Sequence, residues 1–286
     1  FGIAPTFGSL SVSSGTLNLN AGMTGSGTFT LSGGTANINA PATVTSALNF
    51  TSGTLGGAGT ASIGSLSESG GNLAINSLTL TGNSTWSGGN WNSAAASTAT
   101  INSGVSLALP SNSRFFDYRA ITNNGTVNWS GGNLHGGHGS SILNNLTWTD
   151  TNSGNVYNDN YYGGTVGSFT NAATGTYAKS GAGTTTFYVP FNNDGAVNVS
   201  AGILALSGGG AVSSSGTFAV SSGATLDFDA GTTTLANGAS LTGVGTFTIS
   251  GGTLSVASGT ATLSNLSLTS GTLGGAGTAS IGSLSE

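Results

Sequence analysis

The chain has no cysteine among its 286 residues, so no disulfide braces the fold and no thiolate is available as nucleophile or metal ligand. Basic residues are almost as scarce. Arg114, Arg119 and Lys179 are the only three, set against eight acids for a net charge of -5. Without a basic stripe to neutralise phosphates, nucleic acid is not an expected partner. Charged residues make up 4% of the chain, so solubility has to come from hydroxyls and amides. There is no run of about 18 apolar residues to form a membrane-spanning helix, and no capping box leads into a stripe of helical period. The Gly-x-Ser-x-Gly elbow, the phosphate loop and the His-Glu-x-x-His pair are all missing. No second acid is placed for proton transfer beside Arg114, Asp117 and Arg119. The expectation is a protein that is not an enzyme and holds no cofactor.

Glycine is plentiful, at 51 residues, and would mark a flexible linker if the apolar residues were scattered. Instead they alternate with Thr, Ser and Asn, as in Thr28-Phe29-Thr30-Leu31 and Ser106-Leu107-Ala108-Leu109. Period two is the mark of half-buried strands. Thr51 to Glu68 (TSGTLGGAGTASIGSLSE) recurs letter for letter as Thr269 to Glu286, an offset of 218 residues. A first copy therefore occupies about 1–218 and a second begins at about 219–286, within one elongated domain spanning 1–286. Where the copies differ, apolar positions stay apolar: Ile38 aligns with Val256 and Phe50 with Leu268. Because the chain opens at Phe1 and stops inside a copy, a processed or excerpted piece of a longer polypeptide is expected.

Shorter repeats run inside the long one. Strand pairs surround Ser-Gly bends, with Phe29 and Leu31 before one bend, Leu48, Phe50 and Leu55 around the next, then Leu66 with Leu73 and Trp86 with Trp91. The unit returns as Val127, Trp129 and Leu134, as Phe247, Ile249 and Leu254, and, by the long repeat, at Leu273. This predicts an all-β parallel β-helix, or β-solenoid, of roughly 18 to 21 residues per coil, with two or three short strands joined by glycine corners. At a spacing of about 4.8 Å per coil, some fourteen or fifteen coils would form a rod on the order of 70 Å long. Inward residues would stack in ladders, Phe29 over Leu48 over Leu66 over Trp86.

The rhythm breaks over about 110–191, which holds both arginines, both histidines and all six tyrosines. If the chain recognises a partner, the candidates are Arg114, Tyr118, Arg119, His135, His138, Trp148, Tyr157, Tyr161 and Tyr162. The simpler reading makes Arg114, Asp117 and Arg119 a local ion-pair cluster, with the aromatics packing a thicker coil or a loop against the rod. His135 and His138 with Asp150 or Asp159 have a loose metal-ligand spacing, but no third ligand is fixed by it, so two ordinary surface histidines are expected. Asp227 and Asp229, or Asp150 with Asn152, resemble calcium ligands without the glycine-aspartate nonapeptide of calcium-binding rolls.

Asn124-Gly-Thr-Val-Asn-Trp-Ser-Gly-Gly-Asn-Leu134, Asp194-Gly-Ala-Val-Asn-Val-Ser-Ala-Gly-Ile-Leu204 and Ser250-Gly-Gly-Thr-Leu-Ser-Val256 resemble the strand repeats of bacterial autotransporter passenger domains and filamentous-haemagglutinin-like adhesins. The likeness is one of repeat style and covers most of the chain. It implies a right-handed parallel β-helix at the bacterial cell surface or secreted from the cell. The role implied is a structural rod or filament segment that continues in the same chain or stacks end to end on itself. The alternative is an adhesin that binds glycans or cell surfaces through 110–191.

Overall fold

A computed structural model describes residues 6–110, 112–152, 154–158, 161–210 and 214–286. Every regular element among them is a strand, and every pairing between strands is parallel. The strands wind into a β-solenoid of about 14 turns.

Each turn has three walls. On the first, Leu10, Phe29, Leu48 and Leu66 are direct register partners in successive coils, and the same column later carries Val127, Trp148, Tyr177 and Val197. On the second, Leu55 meets Leu73, Leu134 meets Tyr157, and Tyr157 meets Phe187. On the third, Val44 meets Ile63 and Ile63 meets Leu80. Alternation supplies the core: in Thr126–Trp129 and Thr246–Ile249 every second residue is buried. Phe29, Leu31, Leu48, Phe50, Leu55, Leu66, Leu73, Trp86, Trp91, Val127, Trp129, Leu134, Phe247, Ile249 and Leu254 all lie inside, whereas Leu273 is only half-buried.

Two expectations need correction. Coil length varies more widely than 18 to 21 residues, from the step between Leu48 and Leu66 to the 29 residues between Trp148 and Tyr177. The longest coil carries extra chain between Gly154–Asn158 on the second wall and Ser168–Asn171 on the third. In addition, Trp86 does not follow Leu66 in its column but lies over Glu68. An acid thus occupies a core position between Phe50 and Trp86.

The repeated peptide shows what the walls have in common. In the first copy Leu55 stands on the second wall, Ile63 on the third and Leu66 on the first. In the second copy Ile281 pairs with Leu263 on the first wall, and Leu284 pairs with Leu266, itself the partner of Phe247 on the second. From Phe29 to Leu241 the first-wall column climbs ten register steps, and Phe247 belongs to the next strand along the chain. The 218-residue repeat therefore spans ten coils plus one wall. Identical sequence packs on different walls because each wall asks for the same thing, a glycine corner followed by an alternating strand.

Polar groups inside the tube are paired along its axis. Asn123, Asn144, Asn171 and Asn193 form a ladder in which each amide donates to the next side-chain oxygen at 2.7 to 2.8 Å. The same amides donate to Thr147, Thr176, Ala196 and Thr217 carbonyls, which turns a corner without leaving buried donors unmatched. Corner glycines are forced by the coil below: at Gly57, φ is 109° and an added Cβ would lie 2.2 Å from the Ile38 carbonyl oxygen.

Candidate binding site

The irregular region divides into residues that face the tube interior and residues that face out, and strand alternation makes the division. Arg114, Arg119, Trp148 and Tyr157, all read from sequence as binding candidates, are buried in the core and cannot touch a partner. Trp148 packs edge-on to Trp129 and Phe169, and Tyr157 packs against Phe116 and Phe187. These rings fill the longer coils, as the packing alternative expected.

The arginines do not form the anticipated ion-pair cluster with Asp117. Arg114 donates to the carbonyls of Trp86, Asn112, Gly131 and Pro110 at 2.6 to 2.9 Å. Arg119 donates to those of Leu73, Ile75 and Thr98 at 2.8 to 2.9 Å, joining three coils at one corner. Burial pulls both guanidiniums down to about 10, which leaves them charged at neutral pH and solvated by backbone oxygens. Lys179 is also fully buried, with Nζ donating to the Gly181 carbonyl at 3.0 Å and lying 3.9 Å from Asp150 Oδ2. Burial lowers its pKa, and the neighbouring Asp150 opposes that shift. Tyr177 and Thr185 donate to the same carboxylate oxygen.

The outward aromatics gather on the second wall. Phe115 and His135 are register partners on adjacent coils, and their rings stack at 4.9 Å. The extra chain of the longest coil crosses over them as a strap, held where His138 N–H donates to the Gly163 carbonyl and Gly139 N–H to that of Thr165. The strap sets Tyr161 against Phe115 at 4.8 Å and His135 at 5.4 Å, with Tyr162 edge-on to Tyr161. Asn92 Nδ2 donates to the Tyr162 hydroxyl at 2.7 Å, a contact between residues 70 apart in sequence. Gly137 permits the fit, since a Cβ there would meet that of Tyr162 at 2.4 Å.

Beside the strap, Tyr118 stacks on His138 at 4.3 Å with planes 8° apart, and His138 Nδ1 lies 2.8 Å from Asp117 Oδ1. Tyr118 and His138 have φ of 53° and 49°, the only non-glycine residues of positive φ among those described. Left-handed backbone at a bulky residue is strained, and such strain concentrates at functional sites. His135 Nδ1 is shielded and has no hydrogen-bond partner, and burial lowers the pKa of the ring, which favours neutral imidazole. Burial is also the main cause of the raised Tyr162 hydroxyl pKa.

Of the nine sequence candidates, the structure brings together Tyr118, His135, His138, Tyr161 and Tyr162. Phe115, Asp117 and Asn92 join them without having been singled out as ligands. A signal for Phe115 was present: in Arg114-Phe115-Phe116-Asp117, one of two adjacent phenylalanines on a strand has to face outward. His135 and His138 meet no acid but Asp117 in the described contacts, and Asp150 lies in the core. Asp159 is outside the described residues. Among the described residues no three His, Asp or Glu side chains group as a metal site. Asp227 and Asp229 instead accept hydrogen bonds from Ser250 and Ser207.

Fold and site together define a β-solenoid with a strapped aromatic patch on one outer wall. Comparison with family models, with curated proteins and with solved structures finds no match to the chain.

Proposed function

We propose that the chain is a non-enzymatic rod segment of a large repetitive bacterial surface protein, extended outside the cell by stacking coil on coil. The observation that carries this reading is the wall shift. A repeat of ten coils plus one wall puts the same eighteen residues on different walls, so the sequence is fitted to lengthening a tube rather than to building a site at one azimuth. Parallel ladders join every coil to its neighbour, and the same ladder would join successive copies, within one longer chain or across subunits. A surface made soluble by Ser, Thr and Asn, with few charges, fits a secreted location.

Two measurements test the proposal. Negative-stain images of the purified chain should show rods of constant width, about 65 Å long per molecule at about 4.8 Å per coil. Antibodies against the chain should label intact producing cells. Compact particles, or labelling only after the cells are permeabilised, would refute it.

A further inference from the structure

The geometry points to the strapped patch of Phe115, His135, Tyr161 and Tyr162, with Asp117 at its edge, as a binding site for an uncharged saccharide. This goes beyond the rod reading and does not depend on it. A tube needs its aromatic rings inside, where Trp129, Trp148 and Phe169 lie, and gains no core from rings on its outer wall. Here the longest coil inserts extra chain, and the result is an outward aromatic surface with Tyr161 59% exposed. The two strained non-glycine residues of the described chain border the same surface.

The chemistry selects the ligand class. An aromatic face accepts the apolar C–H face of a pyranose ring, and amphipathic rings with nearby acceptors are the usual furniture of such sites. Asp117 supplies carboxylate oxygens for sugar hydroxyls, and His135 brings a ring nitrogen with no protein partner. Charge decides between neutral and acidic sugars. All three lysine and arginine residues of the chain are buried at 0% exposure, so no such cation reaches the outer surface to pair with a sulfate, phosphate or sialic acid carboxylate. Asp117 would repel those groups. An uncharged hexose or pentose oligosaccharide meets neither obstacle.

The test is a glycan array carrying neutral gluco-, manno-, galacto- and xylo-oligosaccharides beside sialylated and sulfated ones, followed by calorimetric titration of the best binder. The purified chain should bind at least one neutral oligosaccharide. Tyr161→Ala should weaken that binding at least tenfold, Asp117→Asn should weaken it less, and Val244→Ala, an exposed apolar residue remote from the patch, should leave it unchanged. Tyr161 is exposed, so its truncation tests the site without endangering the core, and equal melting temperatures confirm this. Binding of no neutral glycan, a preference for anionic ones, or equal affinity in wild type and Tyr161→Ala would overturn the assignment.

Discussion

Replacing Glu68 with Gln probes the least expected feature of the tube interior. Glu68 is 1% exposed, stacked in register between Phe50 and Trp86. Trp91 Nε1 donates to Oε2 at 2.6 Å, and Oε1 is buried without a partner. Burial holds the carboxyl well above its usual 4.5, although the Trp91 hydrogen bond and the charge of Arg119 pull the other way. Below pH 4.5 both folded and unfolded chains carry the proton, and Glu68 contributes no pH dependence. Above it the unfolded chain loses the proton first while the folded tube retains it, so stability falls as pH rises until the folded pKa is passed. The slope reaches about 1.4 kcal/mol per pH unit, which amounts to about 2.7 kcal/mol between pH 4.5 and 6.5.

Gln at this position still offers Trp91 an acceptor and cannot ionise in either state. The wild type should therefore lose stability relative to Glu68→Gln over that range. A solenoid can open coil by coil, so the quantity to measure is local. Native-state hydrogen exchange of the Ser69 and Ser87 amides, which donate to the Phe50 and Glu68 carbonyls, reports on the coils either side. A difference between the two proteins that does not change with pH, or that grows in favour of wild type as pH rises, would show that Glu68 is ionised in the tube and paired with Arg119.

Two further outcomes follow from the interior. Asn144→Ala removes the hydrogen bonds to Asn171 Oδ1 and the Thr176 carbonyl and the one received from Asn123. It should reduce stability by about 3 kcal/mol, read as a lowered urea midpoint with protection lost first in the coils around 123–176. Gly57→Ala and Gly223→Ala both place a Cβ on left-handed backbone, but only at Gly57 does it collide with a carbonyl, whereas nothing lies within 4 Å at Gly223. Gly223→Ala should destabilise by about 1 kcal/mol and Gly57→Ala by at least twice that; equal losses by thermal unfolding would mean that backbone strain alone sets the effect.

Much of the tube was legible before any coordinates. Phe29, Leu48 and Leu66 stack as their spacing required, because period two fixes which residues face inward and a nearly constant coil length carries that choice from coil to coil. Trp148 and Tyr157 could have been assigned to the core by the same alternation, since Thr flanks Trp148 on either side and the strand Thr147–Asp150 buries every second residue. The arginines were harder to place. A charged residue at an inward position reads as surface, and only the turned-in carbonyls of Leu73, Ile75 and Thr98 make burial of Arg119 tolerable.

The sequence by itself determined the strand period, the glycine corners and the tandem repeat, because each is a local property of a few consecutive residues. Tertiary structure alone decided which wall each strand occupies and which distant residues meet. Wall and level depend on the summed lengths of all the corners that came before, so the peptide of Leu66 and its copy at Leu284 lie on different walls. Asn92 reaches Tyr162 for the same reason: one coil is longer than its neighbours, and its extra chain can fold only onto the coils already wound.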